Sequence, residues 1–143
     1  MEASTLFING VIQKNTLLRI PYFQRRYVWK EDNWNRFAID MESTLDSERN
    51  YFLGALILKE DTVTKADKML GIGKKQLVID GQQRLTTIFL TLYAIKELML
   101  ERSMNTEAER LENMYLVNPF NETNKFKLKP LVSDDAVYQL TKS

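Results

Sequence analysis

Residues 78–87, VIDGQQRLTT, join two different sequence patterns. The run that ends there, KQLVI at 75–79, is short, apolar and of strand length. From Gln82 to about Arg102, apolar residues then recur at helical spacing and cover most of the circumference. Gly81 eases the tight turn between the two patterns. The stretch therefore predicts a strand that leads directly into a long helix at the centre of the domain.

Further elements are predicted on both sides of this junction from periodicity and turn residues. In chain order they are a short helix within 4–14, a strand at 17–20, a helix from Glu31 to about Ser47, a strand buried on both faces at 51–58, a loop or irregular hairpin connection at 59–74, an amphipathic helix at 106–116, an edge strand at 125–129 and a last helix after Ser133. The chain is predicted to be one domain, 1–143, with its core at 5–102. Residues 103–143 are expected to begin a helical extension that is truncated here.

The composition is that of a globular protein with nearly balanced charge. The 143 residues include 20 basic and 19 acidic ones, and 44% are apolar. A net charge of +1 gives no bulk electrostatic reason to bind DNA or a membrane. The longest apolar stretch, around Leu85 to Leu100, is interrupted by Thr, Lys and Glu, which predicts a core helix rather than a membrane span. Without a signal-peptide pattern, a cytoplasmic location and no membrane partner are expected.

Cysteine and histidine are both missing from the sequence. Disulfides, Cys/His zinc sites and Ser-His-Asp or Cys-His catalysis are therefore excluded for this chain alone. A nuclease centre of the HNH type is excluded as well, because it needs histidine. Any chemistry must use the remaining polar residue types.

Two interpretations of the polar residues in 80–87 remain open at this stage. In the first, Asp80 is the N-cap of the helix and Gln83 reaches back to form a capping box. In the second, the start of the helix binds phosphate. Arg84 favours this second interpretation, because a cation in the first turn opposes the helix dipole unless an anion lies nearby.

A second cluster, IPYFQRRYVW at 20–29, interleaves aromatic residues with glutamine and arginine, and Trp34 follows it. Such a cluster could stack on bases or sugars while its arginines contact phosphate. It could equally be part of the core, which is where aromatic clusters usually lie.

The order of these motifs resembles the N-terminal domain of the GmrSD-type restriction enzymes. The family pattern is Ile-Pro-x-Tyr/Phe-Gln-Arg-x-Tyr-x-Trp, then Phe-Leu-Gly, then Ile-Asp-Gly-Gln-Gln-Arg-Leu-Thr-Thr, and the chain carries each element in that order over roughly residues 5–100. The resemblance implies an α+β fold of the ParB/sulfiredoxin-like type, with a small mixed sheet packed against helices. Sulfiredoxin-type chemistry is ruled out because the chain has no cysteine.

The resemblance also implies a function. The chain would be a regulatory domain that binds, and as a possible NTPase hydrolyses, a nucleoside triphosphate with Mg²⁺. It would control cleavage of modified DNA by a nuclease domain or subunit in phage defence. By resemblance, the catalytic residues would be Asp80, Gln83 and Arg84, and the nucleotide-phosphate residues would be Gln24, Arg25, Gly81, Gln82, Gln83, Arg84 and Thr87.

Two other functions compete with this one. ParB-like folds are associated with DNA, so the chain could bind DNA directly without nucleotide hydrolysis. The contacts would then come from Arg25, Arg26, Lys30, Arg36 and the Lys74-Lys75 pair. Alternatively, the apolar helix over 85–100 could drive formation of a homo-oligomer.

Overall fold

The computed structural model describes residues 6–12, 15–21, 27–47, 54–117 and 127–129. The helices are α1 (Ile8–Val11), α2 (Glu31–Ser47), α3 (Lys65–Met69), α4 (Gln82–Glu101) and α5 (Asn105–Leu111), followed by a π-helical turn at Glu112–Leu116. The strands are β1 (Thr16–Arg19), β2 (Ile57–Glu60), β3 (Lys74–Asp80) and β4 (Leu128–Lys129). The predicted strand and long helix around 78–87 are confirmed as β3 and α4.

The described strands form one mixed sheet in the order β2-β3-β1-β4. Strand β1 is parallel to both β3 and β4, whereas β2 is antiparallel to β3 with an irregularity between Ile57 and Leu58. The predicted α+β class is therefore confirmed, and β4 is an edge strand as expected. The more specific likeness to the ParB/sulfiredoxin fold stays a prediction.

The core lies between the central strands and one face of α4. Leu85, Phe89 and Tyr93 follow one another at four-residue spacing, so they lie on the same face of the helix. They belong to one buried cluster with Leu18 of β1 and Val78 of β3. This packing fixes α4 against the sheet and holds its first turn directly beyond the carboxyl end of β3.

The strand prediction for 51–58 was wrong in position and in burial. The described part of that run has no strand at 54–56; β2 starts at Ile57 and lies at the edge of the sheet, with most of its residues exposed. Gly54 has φ +103°, which interrupts the extended backbone. Residues 51–53 lie outside the described residues.

Residues 59–74 were predicted as a loop or a hairpin connection, and the hairpin is confirmed because β2 and β3 pair antiparallel. The prediction missed the end of β2 and the short helix α3. Thr64 is the N-cap of α3, and its hydroxyl accepts a hydrogen bond from the amide of Asp67 at 3.1 Å. The Asp67 carboxylate accepts in return from the Thr64 amide at 2.9 Å, which completes a capping box. Lys75 lies 3.3 Å from the same carboxylate and joins α3 to β3.

We expect Thr64→Ala to lower the free energy of unfolding by about 1 kcal/mol, because the first turn of α3 loses its cap. The backbone and hydroxyl of Thr64 are the main causes that lower the pKa of Asp67 below its ordinary value of 3.8. The part of the stabilisation that involves the Asp67 carboxylate is therefore fully present above that value and is lost as the pH falls through the lower folded pKa, whereas the hydrogen bond from the Asp67 amide to the Thr64 hydroxyl does not depend on pH. Urea unfolding of both proteins at neutral and acidic pH checks this; an unchanged difference between them at low pH would contradict it.

The amphipathic helix predicted at 106–116 corresponds to α5 and the π-helical turn after it. Of the edge strand predicted at 125–129, only Leu128 and Lys129 form strand, and residues 125–126 lie outside the described residues. The helix predicted after Ser133 also lies outside them. Within the described ranges, no helix has the length and apolar character needed to cross a membrane.

Helix α2 has the predicted bounds, and its apolar side chains are not buried. None of its residues is buried, and Trp34, Ile39 and Leu45 are among the exposed large apolar side chains. Its link to the preceding segment includes an edge-to-face contact between Trp29 and Phe37, with ring centroids 6.2 Å apart.

Candidate functional site

The first turn of α4 begins at a glycine. Gly81 is the N-cap, with φ +93° and no side-chain cap. Asp80 was expected to cap the helix, but its carboxylate accepts from the Gly81 amide at 2.9 Å instead. Gln83 was expected to reach back to the cap, but its side-chain oxygen accepts from the Val28 amide at 2.9 Å. The capping-box interpretation is therefore wrong, because the left-handed glycine moves the helix start one residue beyond Asp80.

The segment Gly54–Leu56 forms a wall beside this turn. A Cβ atom placed on Gly81 would collide with Cδ2 of Leu56 and lie 3.1 Å from the carbonyl oxygen of Ala55. A Cβ atom placed on Gly54 would collide with Nη1 of Arg84 and lie 2.6 Å from its Cζ. Gly81 thus leaves room for the side chain of Leu56, and Gly54 leaves room for the side chain of Arg84.

Arg84 is exposed and lies along this wall. Its Nη1 donates a long hydrogen bond of 3.4 Å to the carbonyl oxygen of Ala55. Among the ion pairs between described residues, none includes Arg84. The first turn of α4 also contains no acidic residue. The positive end of the α4 dipole therefore lies beside Arg84, a cation that has no carboxylate partner among the described residues.

Gln83 and Thr87 face inward and hold the segment that follows Arg26. Both residues are buried, at 8% and 4% exposure. Besides the bond from Gln83 to Val28, the Thr87 hydroxyl donates to the backbone oxygen of Gln83 and lies 2.8 Å from the Tyr27 hydroxyl. Since the single proton of Thr87 is used on Gln83, Tyr27 donates to Thr87. The indole N–H of Trp34 in turn donates to Tyr27 at 2.7 Å.

The predicted site residues therefore separate into two groups. Gly81 and Gln82 are partly accessible, and Asp80 and Arg84 are exposed at the start of α4. Gln83 and Thr87 lie behind that turn and make internal hydrogen bonds. Gln24 and Arg25 lie outside the described residues. Tyr27 and Trp34, predicted as either core or stacking residues, link the second motif to α4.

Of the basic residues proposed for DNA binding, the structure describes Lys30, Arg36, Lys74 and Lys75. Lys74 and Lys75 lie at the opposite end of β3 from Asp80, roughly 20 Å away for a strand of this length. Lys75 is paired with Asp67. Arg36 lies on α2, whose other charged residues are all acidic. Arg26 lies outside the described residues.

Comparison with known families adds to this geometry. The family model for the N-terminal domain of the GmrSD restriction endonuclease matches residues 7–142. The chain belongs to this family. The match takes in the three sequence motifs and also most of the region predicted as an extension. A search of curated proteins found no match. Membership indicates that this GmrSD N-terminal domain is a component of a restriction system.

The start of α4 fits the phosphates of a nucleotide better than it fits a metal ion alone. Backbone amides at a helix N-terminus and an arginine are common phosphate ligands. Within the described ranges, no group of three or more acidic residues could hold a metal ion. Asp80 is a single carboxylate, which is compatible with Mg²⁺ only when phosphate oxygens supply further ligands. In this GmrSD domain, a metal ion at Asp80 would therefore need ligands beyond this carboxylate.

Sequence reasoning missed the residues that border Arg84. Gly54 was noted within the apolar run 51–58, but no role was assigned to it. An isolated glycine inside a strand-like run indicates a bulge or a close approach of other groups, and this was the available signal. The partner, Arg84, is far away in the sequence, so the contact itself had no local signature.

Proposed function

We propose that this GmrSD N-terminal domain binds a nucleoside triphosphate at the start of α4 and regulates DNA cleavage by a nuclease domain or subunit. The observation that carries the proposal is Arg84, an exposed cation at a helix N-terminus, without a carboxylate partner among the described residues. Such an arrangement costs helix stability unless an anion is bound.

Each residue of the site has a distinct role in this proposal. The amide of Gln82 and the guanidinium of Arg84 contact phosphate oxygens, and Gly81, whose amide donates to Asp80, forms the turn that brings them together. Asp80 holds Mg²⁺, directly or through water, or orients a water molecule. Gln83 and Thr87 position this turn from behind, through Val28 and Tyr27. Bound Mg²⁺ would supply neutralisation of phosphate charge, and phosphoryl transfer relies mainly on such neutralisation and on positioning.

The test is a calorimetric titration with ATP, GTP, CTP and UTP, each with Mg²⁺. We expect one or more to bind, and Arg84→Ala to weaken binding by roughly 10- to 100-fold, because charged hydrogen bonds contribute about 1.5–3 kcal/mol. Arg102→Ala is the matched control, since it removes the same charge from the C-terminal end of the same helix. This control is expected to bind like the wild type.

Two outcomes would overturn the proposal. A folded protein that binds none of the four nucleotides would lack the site. Equal weakening in Arg84→Ala and Arg102→Ala would indicate a general charge effect. If a DNA duplex instead binds with an affinity that falls steeply with salt, the direct DNA-binding alternative is favoured. Release of inorganic phosphate, measured on the same samples, decides whether the bound nucleotide is hydrolysed.

A further inference from the structure

The contact between Gly54 and Arg84 carries an inference about how the site is organised. Gly54 lies in the left-handed region, and it is not part of the helix or the strand that form the site. The space where its Cβ would be is taken by the guanidinium of Arg84, whose Cζ and Nε would lie 2.6 and 3.1 Å from that atom. The next residue, Ala55, accepts the hydrogen bond from Arg84.

We propose that Gly54 is a positioning residue for Arg84, which sets the direction in which the guanidinium meets the phosphate. The inference rests on the proposed role of Arg84 as a phosphate ligand. A guanidinium presents its N–H donors in a rigid planar fork. When one edge of the fork lies against Gly54 and Ala55, the direction of the remaining donors is fixed. A side chain at position 54 would displace the guanidinium of Arg84 from the segment Gly54–Leu56.

Preorganisation is the physical benefit of this contact. A free arginine side chain loses rotamer entropy when it is immobilised. Because the segment Gly54–Leu56 already restricts Arg84, less of this entropy is lost when the nucleotide binds. Gly54 thereby raises nucleotide affinity without touching the nucleotide.

Gly71 supplies a matched control for the test. It also has a positive φ, +85° against +103° at Gly54, but a Cβ placed there meets nothing within 4 Å. Alanine at either position therefore introduces similar backbone strain, whereas only the Cβ of Gly54→Ala would collide with Arg84. Any difference between the two variants in nucleotide affinity reports the contact with Arg84.

The experiment compares Gly54→Ala, Gly71→Ala, Arg84→Ala and the double variant Gly54→Ala/Arg84→Ala in the titration with the four nucleotides and Mg²⁺. We expect Gly54→Ala to weaken binding about tenfold and Gly71→Ala to leave it within about twofold. In the double variant, Gly54→Ala is expected to add nothing to the loss caused by Arg84→Ala. Non-additivity of this kind shows that Gly54 acts through Arg84.

The outcomes separate this inference from the proposed function. If the wild type binds no nucleotide, the proposed function fails, and this inference with it. If the wild type binds and Arg84→Ala does not, but Gly54→Ala behaves like Gly71→Ala, only the positioning role is overturned. Additive losses in the double variant would overturn it too. Should Gly54→Ala fail to fold, Gly54→Asn and Gly71→Asn form the second pair, because asparagine tolerates the left-handed region.

Discussion

Replacing Phe89 with alanine is expected to lower the free energy of unfolding by about 3–5 kcal/mol, one of the two largest losses of stability predicted for this chain. Phe89 is 1% exposed and is the largest of the fully buried side chains among the described residues. Its ring lies in the cluster that joins α4 to Leu18 and Val78. Alanine would remove these contacts and leave a cavity that a close-packed interior refills only in part.

Urea unfolding at neutral pH measures the effect. Leu98→Ala is the control, because Leu98 lies on the same helix and is 52% exposed. It is expected to cost less than about 1 kcal/mol, since most of its side chain already contacts water. Domains of this kind are stable by about 5–15 kcal/mol, so Phe89→Leu provides a milder variant if alanine prevents folding. Equal losses for Phe89→Ala and Leu98→Ala would show that this face of α4 is not the core.

The same burial explains why the centre of the fold could be predicted from the sequence. Strand β3 and helix α4 each carry a local pattern, an apolar run and a helical period, and the core they form preserves that pattern. Helix α2 shows the limit of this reasoning. Its helical period predicted the helix from Glu31 to Ser47. A period does not show which surface the apolar side chains will pack against, and no residue of α2 is buried.

The elements that were not predicted depend on features that do not recur at regular spacing in the sequence. The run 51–58 was apolar enough to predict a buried strand. Gly54 has a left-handed conformation, however, and β2 begins only at Ile57. Helix α3 has five residues, too few for a periodic signal. Its capping residues, Thr64 and Asp67, were the only local sign of it.

The sequence identified the exposed residues of the candidate site but not the contacts that hold them in place. Arg84 was identified because its charge conflicts with the dipole of its own helix, which is a local argument. The partner of the Gln83 side chain was not predictable. An amide can cap its own helix or bind a distant backbone, and only the fold selects Val28. The contact of Arg84 with Gly54 likewise requires the two segments to be brought together by the pairing of β2 and β3.

Gly81→Val is expected to lower the free energy of unfolding by roughly 2–6 kcal/mol, a loss comparable to that of Phe89→Ala. A β-branched residue at φ +93° is strained, at a cost of about 1–3 kcal/mol. Its Cβ would also collide with Leu56 and approach the carbonyl oxygen of Ala55, and such overpacking costs about a further 1–3 kcal/mol.

Gly71→Val separates the two causes, because Gly71 shares the positive φ but a Cβ there has open space around it. The excess loss in Gly81→Val over Gly71→Val, measured by urea unfolding, is therefore the cost of the collision with Leu56 and Ala55. No excess would mean that the segment Gly54–Leu56 does not lie against the start of α4. A clear excess would establish that wall by stability alone, without any ligand. The shape of the proposed phosphate site would then be tested independently of whether it binds a nucleotide.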